Sequence, residues 1–266
     1  SHGDLGAAVF FSAALTPADF YLRLLGLPDD TLRLRLPSPF PPTAQCTLIY
    51  SGLSLRYAER DHPRHLTDVC AVAASVWHAK PGNYWLFAPS FEYLERLWEA
   101  FRQQYPDIPA QRQERGMTDA ARAAFLAPFT SPQPSGPAGL LGMVVLGSVF
   151  TESIDLPGEA LIGVIVLGTG QPQPSPVNDA MLAWFQAQGL DGQRLTYELP
   201  GWQKVVQAAG RVVRTPSDRG VVVLVDRRFA TAGYRNLAPP HWRMQAVASV
   251  SAVEERLAAF WSEQFD

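Results

Sequence analysis

The chain alternates between short runs that are apolar throughout and longer stretches whose apolar residues recur every three or four positions. The continuous runs are AAVFFSAALTP (7–17), TLIYS (47–51), YWLFAPS (84–90), LLGMVVLG (140–147), LIGVIVLG (161–168), GVVVLVD (220–226) and MQAVAS (244–249). Each reads as a strand covered on both faces. The periodic stretches predict helices from Pro17 to Leu25 with Thr16 as N-cap, and over 62–78, 91–105, 118–126, 177–188, 199–214 and 250–264. In the third of these, Phe91, Leu94, Leu97, Trp98 and Phe101 share the inward face. Residues 28–45, with Pro28, Pro37, Pro39, Pro41 and Pro42, read as an extended loop, as do 128–139, 151–160 and 170–176. Fully apolar strands alternating with amphipathic helices predict an α/β fold, a mostly parallel sheet flanked by helices in three layers. Ligands of such sheets meet the loops at the carboxyl ends of the strands.

One stretch breaks the plain pattern. On a helix over 199–214, Gln207, Gly210, Arg211 and Arg214 fall on one narrow face, while Val205, Val206, Ala208, Ala209, Val212 and Val213 cover the other. Two arginines one turn apart beside a glycine suit a polyanion, although solvated surface arginines have the same pattern. Pro216 is expected to stop the helix.

Composition narrows the partners. The 266 residues are 47% apolar and 18% charged, which is globular, and the net charge of −3 excludes a polycation. Basic residues are concentrated locally: Trp202 to Arg243 holds eight Lys or Arg against two acids, a patch suited to phosphate. Cys46 and Cys70 are too few for a four-cysteine metal or iron–sulfur site, the five histidines lack metal spacing, and no metal site is expected on this chain. Two reduced thiols point to a cytoplasmic protein, in the bacterial cytosol or nucleoid. No apolar run reaches the length of a membrane span. Ser-His-Gly at the start reads as a cloning scar, so 1–6 are a lead-in and 7–266 one domain, a fragment of a larger protein.

A second polar constellation follows the run 140–147. In GSVFTESIDLPG (147–158), Glu152 and Asp155 lie three apart among Ser148, Thr151 and Ser153. Alone, these acids read as turn residues capping backbone amides. Together the segments resemble the second motor lobe of a superfamily-two helicase, nearest the XPD/DinG group of iron–sulfur DNA helicases. QAAGRVVR (207–214) matches the group's sixth motif, Q-x-x-G-R-x-x-R, and DRGVVVLVDRRF (218–229) its continuation. GSVFTESIDLPG is similar to the fifth motif, NYWLFAPSFEYL (83–94) to the fourth, and FFSAALTP (10–17) to the third. Ser153 stands where the group usually has glycine and Ala14 where it usually has threonine, and GQPQPSP (170–176) differs from the common L-P-F-x-x-P.

The resemblance implies a RecA-like domain whose parent protein hydrolyses ATP with Mg2+ and translocates 5′ to 3′ on single-stranded DNA. The phosphate loop G-x-x-x-x-G-K-[ST] and D-E-x-H are absent, and so belong to a first lobe, which would also carry any 4Fe-4S cluster. Arg214 is implied as the arginine finger, Arg211 as a second phosphate contact or its brace, and Gln207 as a hydrogen-bonding partner near the phosphates or the catalytic water. Gly210 would let the other lobe approach, and Glu152 and Asp155 would link the ATP site to DNA. Thr16, Ser90, Phe91 and Ser148 are implied as contacts to the DNA strand. An RNA helicase lobe, or a docking module derived from a motor lobe, would share this outline.

Overall fold

The computed structural model describes residues 7–11, 15–60, 62–130, 139–152, 156 and 158–263. The chain divides into two compact units, Ser1–Pro37 and Ser38–Asp266. In the first, helix α1 (Ala18–Leu24) is followed by an extended stretch, with Arg33 bonded to Asp19 at 2.7 Å. The strand expected over 7–17 is not found in its described part: residues 7–11 have no ladder, and Val9 and Phe11 are 84% and 89% exposed. An apolar run becomes a covered strand only where neighbouring strands take up its backbone groups. Thr16 does not cap α1; extended Pro17 occupies that position, and no side chain caps the helix.

The second unit holds a sheet of seven parallel strands: β1 (Gln45–Tyr50), β2 (Tyr84–Ala88), β3 (Ala110–Arg112), β4 (Leu141–Val145), β5 (Gly163–Leu167), β6 (Gly220–Val225) and β7 (Met244–Val247). Their order is β3-β4-β2-β5-β6-β1-β7. Gln45 pairs with Gly220, Gly163 with Val221, and Tyr84 with both Gly163 and Leu141. Because every pairing is parallel, all carboxyl ends lie on one edge, and the loops after β4, β2, β5, β6 and β1 follow one another along it.

Side chains of β2 show why these strands read as apolar throughout. Tyr84, Leu86 and Ala88 join the core beneath α2 (Pro63–Ala79), α3 (Phe91–Gln104) and α9 (Val250–Ser262). Trp85 faces the other way, its ring centroid 5.6 Å from Phe129 of α4 (Asp119–Thr130) and 5.9 Å from Phe150 of α5 (Val149–Glu152). Both faces are covered, so alternation has nothing to mark. Helix α3 forms where its pattern predicts: the Ser90 hydroxyl caps it by accepting from Tyr93 N at 3.2 Å, and Leu94, Leu97 and Phe101 are buried. Phe91 and Trp98 pack half-buried against the same core. Each full burial contributes about 1.5–3 kcal/mol. The remaining helices are α6 (Pro176–Ala187), α7 (Leu199–Ala209), preceded by a π-helical turn (Arg194–Glu198), and α8 (Ala232–Arg235). Among the described residues no helix is long and apolar enough to cross a membrane.

Candidate functional site: the arginine turn and the carboxyl edge

Helix α7 is fitted closely to the sheet at its first turn. A Cβ on Gly201 would lie 2.5 Å from the carbonyl oxygen of Thr169 and 2.7 Å from Gln171 N, so only glycine lets α7 rest on the loop after β5. Trp202 is buried beside it, its indole donating to the Leu237 carbonyl at 3.0 Å, and it packs on Phe229, Tyr234 and Trp242. Trp202 and Trp242 are therefore core residues.

The other end of α7 departs from expectation. The helix does not run to 214 but stops at Ala209, with Gly210 as its C-cap, and Pro216 lies in a later turn. Gln207 is exposed on the last turn. Arg211 and Arg214 are therefore not stacked on one helical face. Three contacts, one of them distant in sequence, draw the chain off the helix. Val212 packs under the start of β6, where a Cβ on Gly220 would lie 2.2 Å from its Cγ1. Arg211 is 9% exposed, and its Nε donates to the carbonyl of Thr151 at 2.8 Å. Asp218 closes a turn over 214–218: its Oδ2 accepts from Arg214 N and Thr215 N, both at 2.8 Å, and its Oδ1 from the Thr215 hydroxyl at 2.7 Å. Burial alone would raise the Asp218 pKa, but these hydrogen bonds, with the nearby Arg214 charge, outweigh it and hold the carboxyl below its ordinary value. The half-buried Arg214 is thus displayed from a turn with a fixed backbone.

Arg211 ties this turn to the segment after β4. There Gly147 has φ +81° and donates its N–H to the Thr151 hydroxyl at 2.9 Å. Phe150 anchors the segment, its ring 4.9 Å from Phe125. The Lys204 side chain of α7 runs alongside, where a Cβ on Gly147 would meet its Cδ at 3.4 Å. The Ser148 hydroxyl oxygen is buried with no hydrogen-bond partner among the described residues. Glu152 ends α5, and Asp155 lies outside the described residues.

One residue thus gathers Arg211, Ser148 and α5 around the Thr151 backbone. Ser90 and Phe91 stand one strand away, after β2, with the Arg115 guanidinium 4.8 Å from the Phe91 ring centre. Thr16 belongs to the other unit. Thr151, Lys204 and Asp218 were not singled out by pattern. Asp218 follows the arginine pair by four residues, which is the one local signal that a carboxylate turn closes there.

The basic stretch 202–243 does not form one cationic face. Arg219 donates to the carbonyls of Phe260 and Glu263 at the end of α9, Arg227 pairs with Glu59, and Arg228 makes a two-point bond to the fully buried Asp226. Cys46 lies in β1 and Cys70 is buried in α2, and burial pushes their thiols up to about 11 and about 12. His62 caps α2 by accepting from Arg64 N at 3.3 Å.

A parallel three-layer sheet with these turns has the architecture of a RecA-like helicase lobe. The profile of the helicase C-terminal domain matches residues 73–245, and the chain belongs to that family. Its relatives are superfamily-two helicases of the XPD/DinG type. It is 32% identical over 240 residues to the ATP-dependent helicase DinG of Mycobacterium tuberculosis, covering 88% of this chain and 34% of that protein. It is 25% identical over 248 residues to the ATP-dependent DNA helicase chl1 of Aspergillus niger, covering 80% and 28%. With the 3′-5′ exonuclease DinG of Bacillus subtilis it shares 24% over 239 residues, covering 87% and 25%. The chain spans about a quarter to a third of the length of these relatives. In fold it matches an XPD helicase structure with TM-score 0.65 at 17% identity, over 89% of this chain and 42% of that one. Xpd4 of S. tokodaii matches with TM-score 0.55 at 14% identity, over 82% and 41%.

Proposed function

We propose that the chain is the second motor lobe of an ATP-dependent DNA helicase, lending arginines to ATP bound on a first lobe. The observation that carries this is the Arg211–Thr151 bond, which joins the turn displaying Arg214 to the segment bearing Ser148. A nucleotide-sensing arginine and a strand contact then share one rigid link. DNA, in preference to RNA, is favoured by the relative chl1, an ATP-dependent DNA helicase.

Phosphoryl transfer is accelerated by positioning and by neutralising charge on the γ-phosphate. Arg214 is the finger in this reading. Arg211, with its Nε committed to Thr151, is its brace. Gln207 and Gly210, both exposed at the end of α7, face the partner lobe. Ser90 offers its hydroxyl to strand phosphates, Lys204 adds a charge beside Gly147, and Ser148 lies on the same segment with its hydroxyl turned inward. In this reading Mg2+ is held on the first lobe, with the phosphate loop. The two cysteines do not suit a four-cysteine cluster, which in this reading belongs there too.

The test uses the isolated chain. It should show no ATP hydrolysis above background and weak binding to single-stranded DNA that falls steeply with salt. Robust hydrolysis by the pure chain would mean a self-contained active site and overturn the reading.

A further inference from the structure

The carboxyl edge holds a cavity of about 530 Å3 that the strand contacts above do not use. Its walls come from the loops after three adjacent strands and from the π-helical turn. Arg56 and Tyr57 follow β1, Arg228 follows β6, Gln171 follows β5, and Gln193 and Glu198 flank the turn. The volume suits one nucleotide-sized group.

The π turn decides which side chains meet. Its hydrogen bonds run from residue i to i+5, as from Leu199 N to Arg194 O. Residues five apart are then brought toward one wall; on a regular α-helix Gln193 and Glu198 would point about 140° apart. The geometry has a cost, since Thr196 is 2% exposed and its buried hydroxyl lacks a hydrogen-bond partner among the described residues. Such turns inside helices recur at functional sites. Gln171 is fixed too, its amide donating to the Tyr234 hydroxyl at 3.0 Å. It comes from GQPQPSP, the loop that departs from the pattern of the resembled group.

The chemistry of the walls selects an occupant. Arg228 is neutralised by buried Asp226, and Glu198 offsets the exposed Arg56, so the walls carry no net positive charge to hold a free phosphate. Tyr57 is 81% exposed, an aromatic surface on which a base can stack. The glutamines offer amide donors and acceptors, and the Glu198 carboxylate accepts from an exocyclic amine.

We propose that this cavity takes one base of the bound DNA strand and favours a base carrying an exocyclic amino group. The proposal rests on the strand-gripping role given above. Fluorescence anisotropy of the 266-residue chain with 20-nucleotide oligo-dC and oligo-dT at pH 8 tests it. Oligo-dC should bind about tenfold more tightly. Glu198→Ala should bring the two affinities within about twofold of each other. Tyr57→Ala, at an exposed side chain, should weaken both strands by at least about fivefold. Ultraviolet crosslinking of 5-iodo-deoxycytidine strands should label the peptide containing Tyr57. Equal binding of both strands by the unaltered chain, or a dC preference that survives Glu198→Ala, overturns this inference alone. Failure to bind either strand overturns the strand-gripping role along with it.

Discussion

The two ends of α7 are built on opposite principles. At its first turn a glycine lets the helix press on the loop after β5, and Trp202 locks it into an aromatic cluster. At its last turn a glycine ends the helix, and the next residues are held by polar groups: Thr151, 60 residues away, for Arg211, and the local Asp218 for the backbone at Arg214. Apolar packing fixes where α7 sits. Hydrogen bonding fixes how its arginines are displayed. The two arginines themselves divide in the same way, with Arg211 9% exposed and bonded inward and Arg214 displayed on a turn.

This contrast orders the expected effects on stability. Arg211→Ala should cost most, about 2–3 kcal/mol, because it leaves the Thr151 carbonyl without its charged donor in a buried site. Thermal melting of the isolated chain would read this as a drop of several degrees. Asp218→Ala should cost about 1–2 kcal/mol by releasing three hydrogen bonds in one turn. Its pH dependence has a fixed sign. The folded-state pKa is depressed, so the stabilisation is complete above the ordinary carboxylate value. It is lost as pH falls through the lower folded value. Acid titration of unfolding should therefore show a smaller low-pH loss in Asp218→Ala than in the unaltered chain. Gly210→Ala should change stability by about 1 kcal/mol or less, since its φ of −65° suits any residue while the added Cβ meets the Val206 oxygen closely, at 3.1 Å, and the Gln207 oxygen at 3.8 Å. Arg214→Ala should also stay within about 1 kcal/mol, because the backbone N–H that Asp218 holds survives the substitution.

Much of the fold was legible because it depends on local or periodic signals. The inward stripe of α3 and the continuous apolar runs of β2, β4, β5 and β6 needed no partner information. The missed parts depend on partners. Strand β3, the residues AQR, carries no apolar pattern and exists because β4 accepts it as a neighbour. The apolar run at 7–11 looked like a strand but has no ladder. At α7, the periodicity of Val212 and Val213 continued past the true end, because burial against β6 selects the same residue types as burial on a helix. The pair Arg211 and Arg214 was visible; their different surroundings were not, since Thr151 lies 60 residues away. The cavity at the carboxyl edge left only a faint trace, polar residues in GQPQPSP and a spacing of five between Gln193 and Glu198.

A residue expected to matter little to the fold, Arg214, should matter most to turnover. The decisive measurement is ATP hydrolysis by the full-length protein carrying Arg214→Ala, at saturating ATP and single-stranded DNA, with strand affinity and melting temperature read on the same sample. The expected result is a loss of about 10³-fold or more in turnover, with strand affinity and melting temperature nearly unchanged. Turnover within a few-fold of the unaltered protein, in a folded and strand-binding sample, would contradict the assignment of Arg214 as the arginine that reaches the nucleotide.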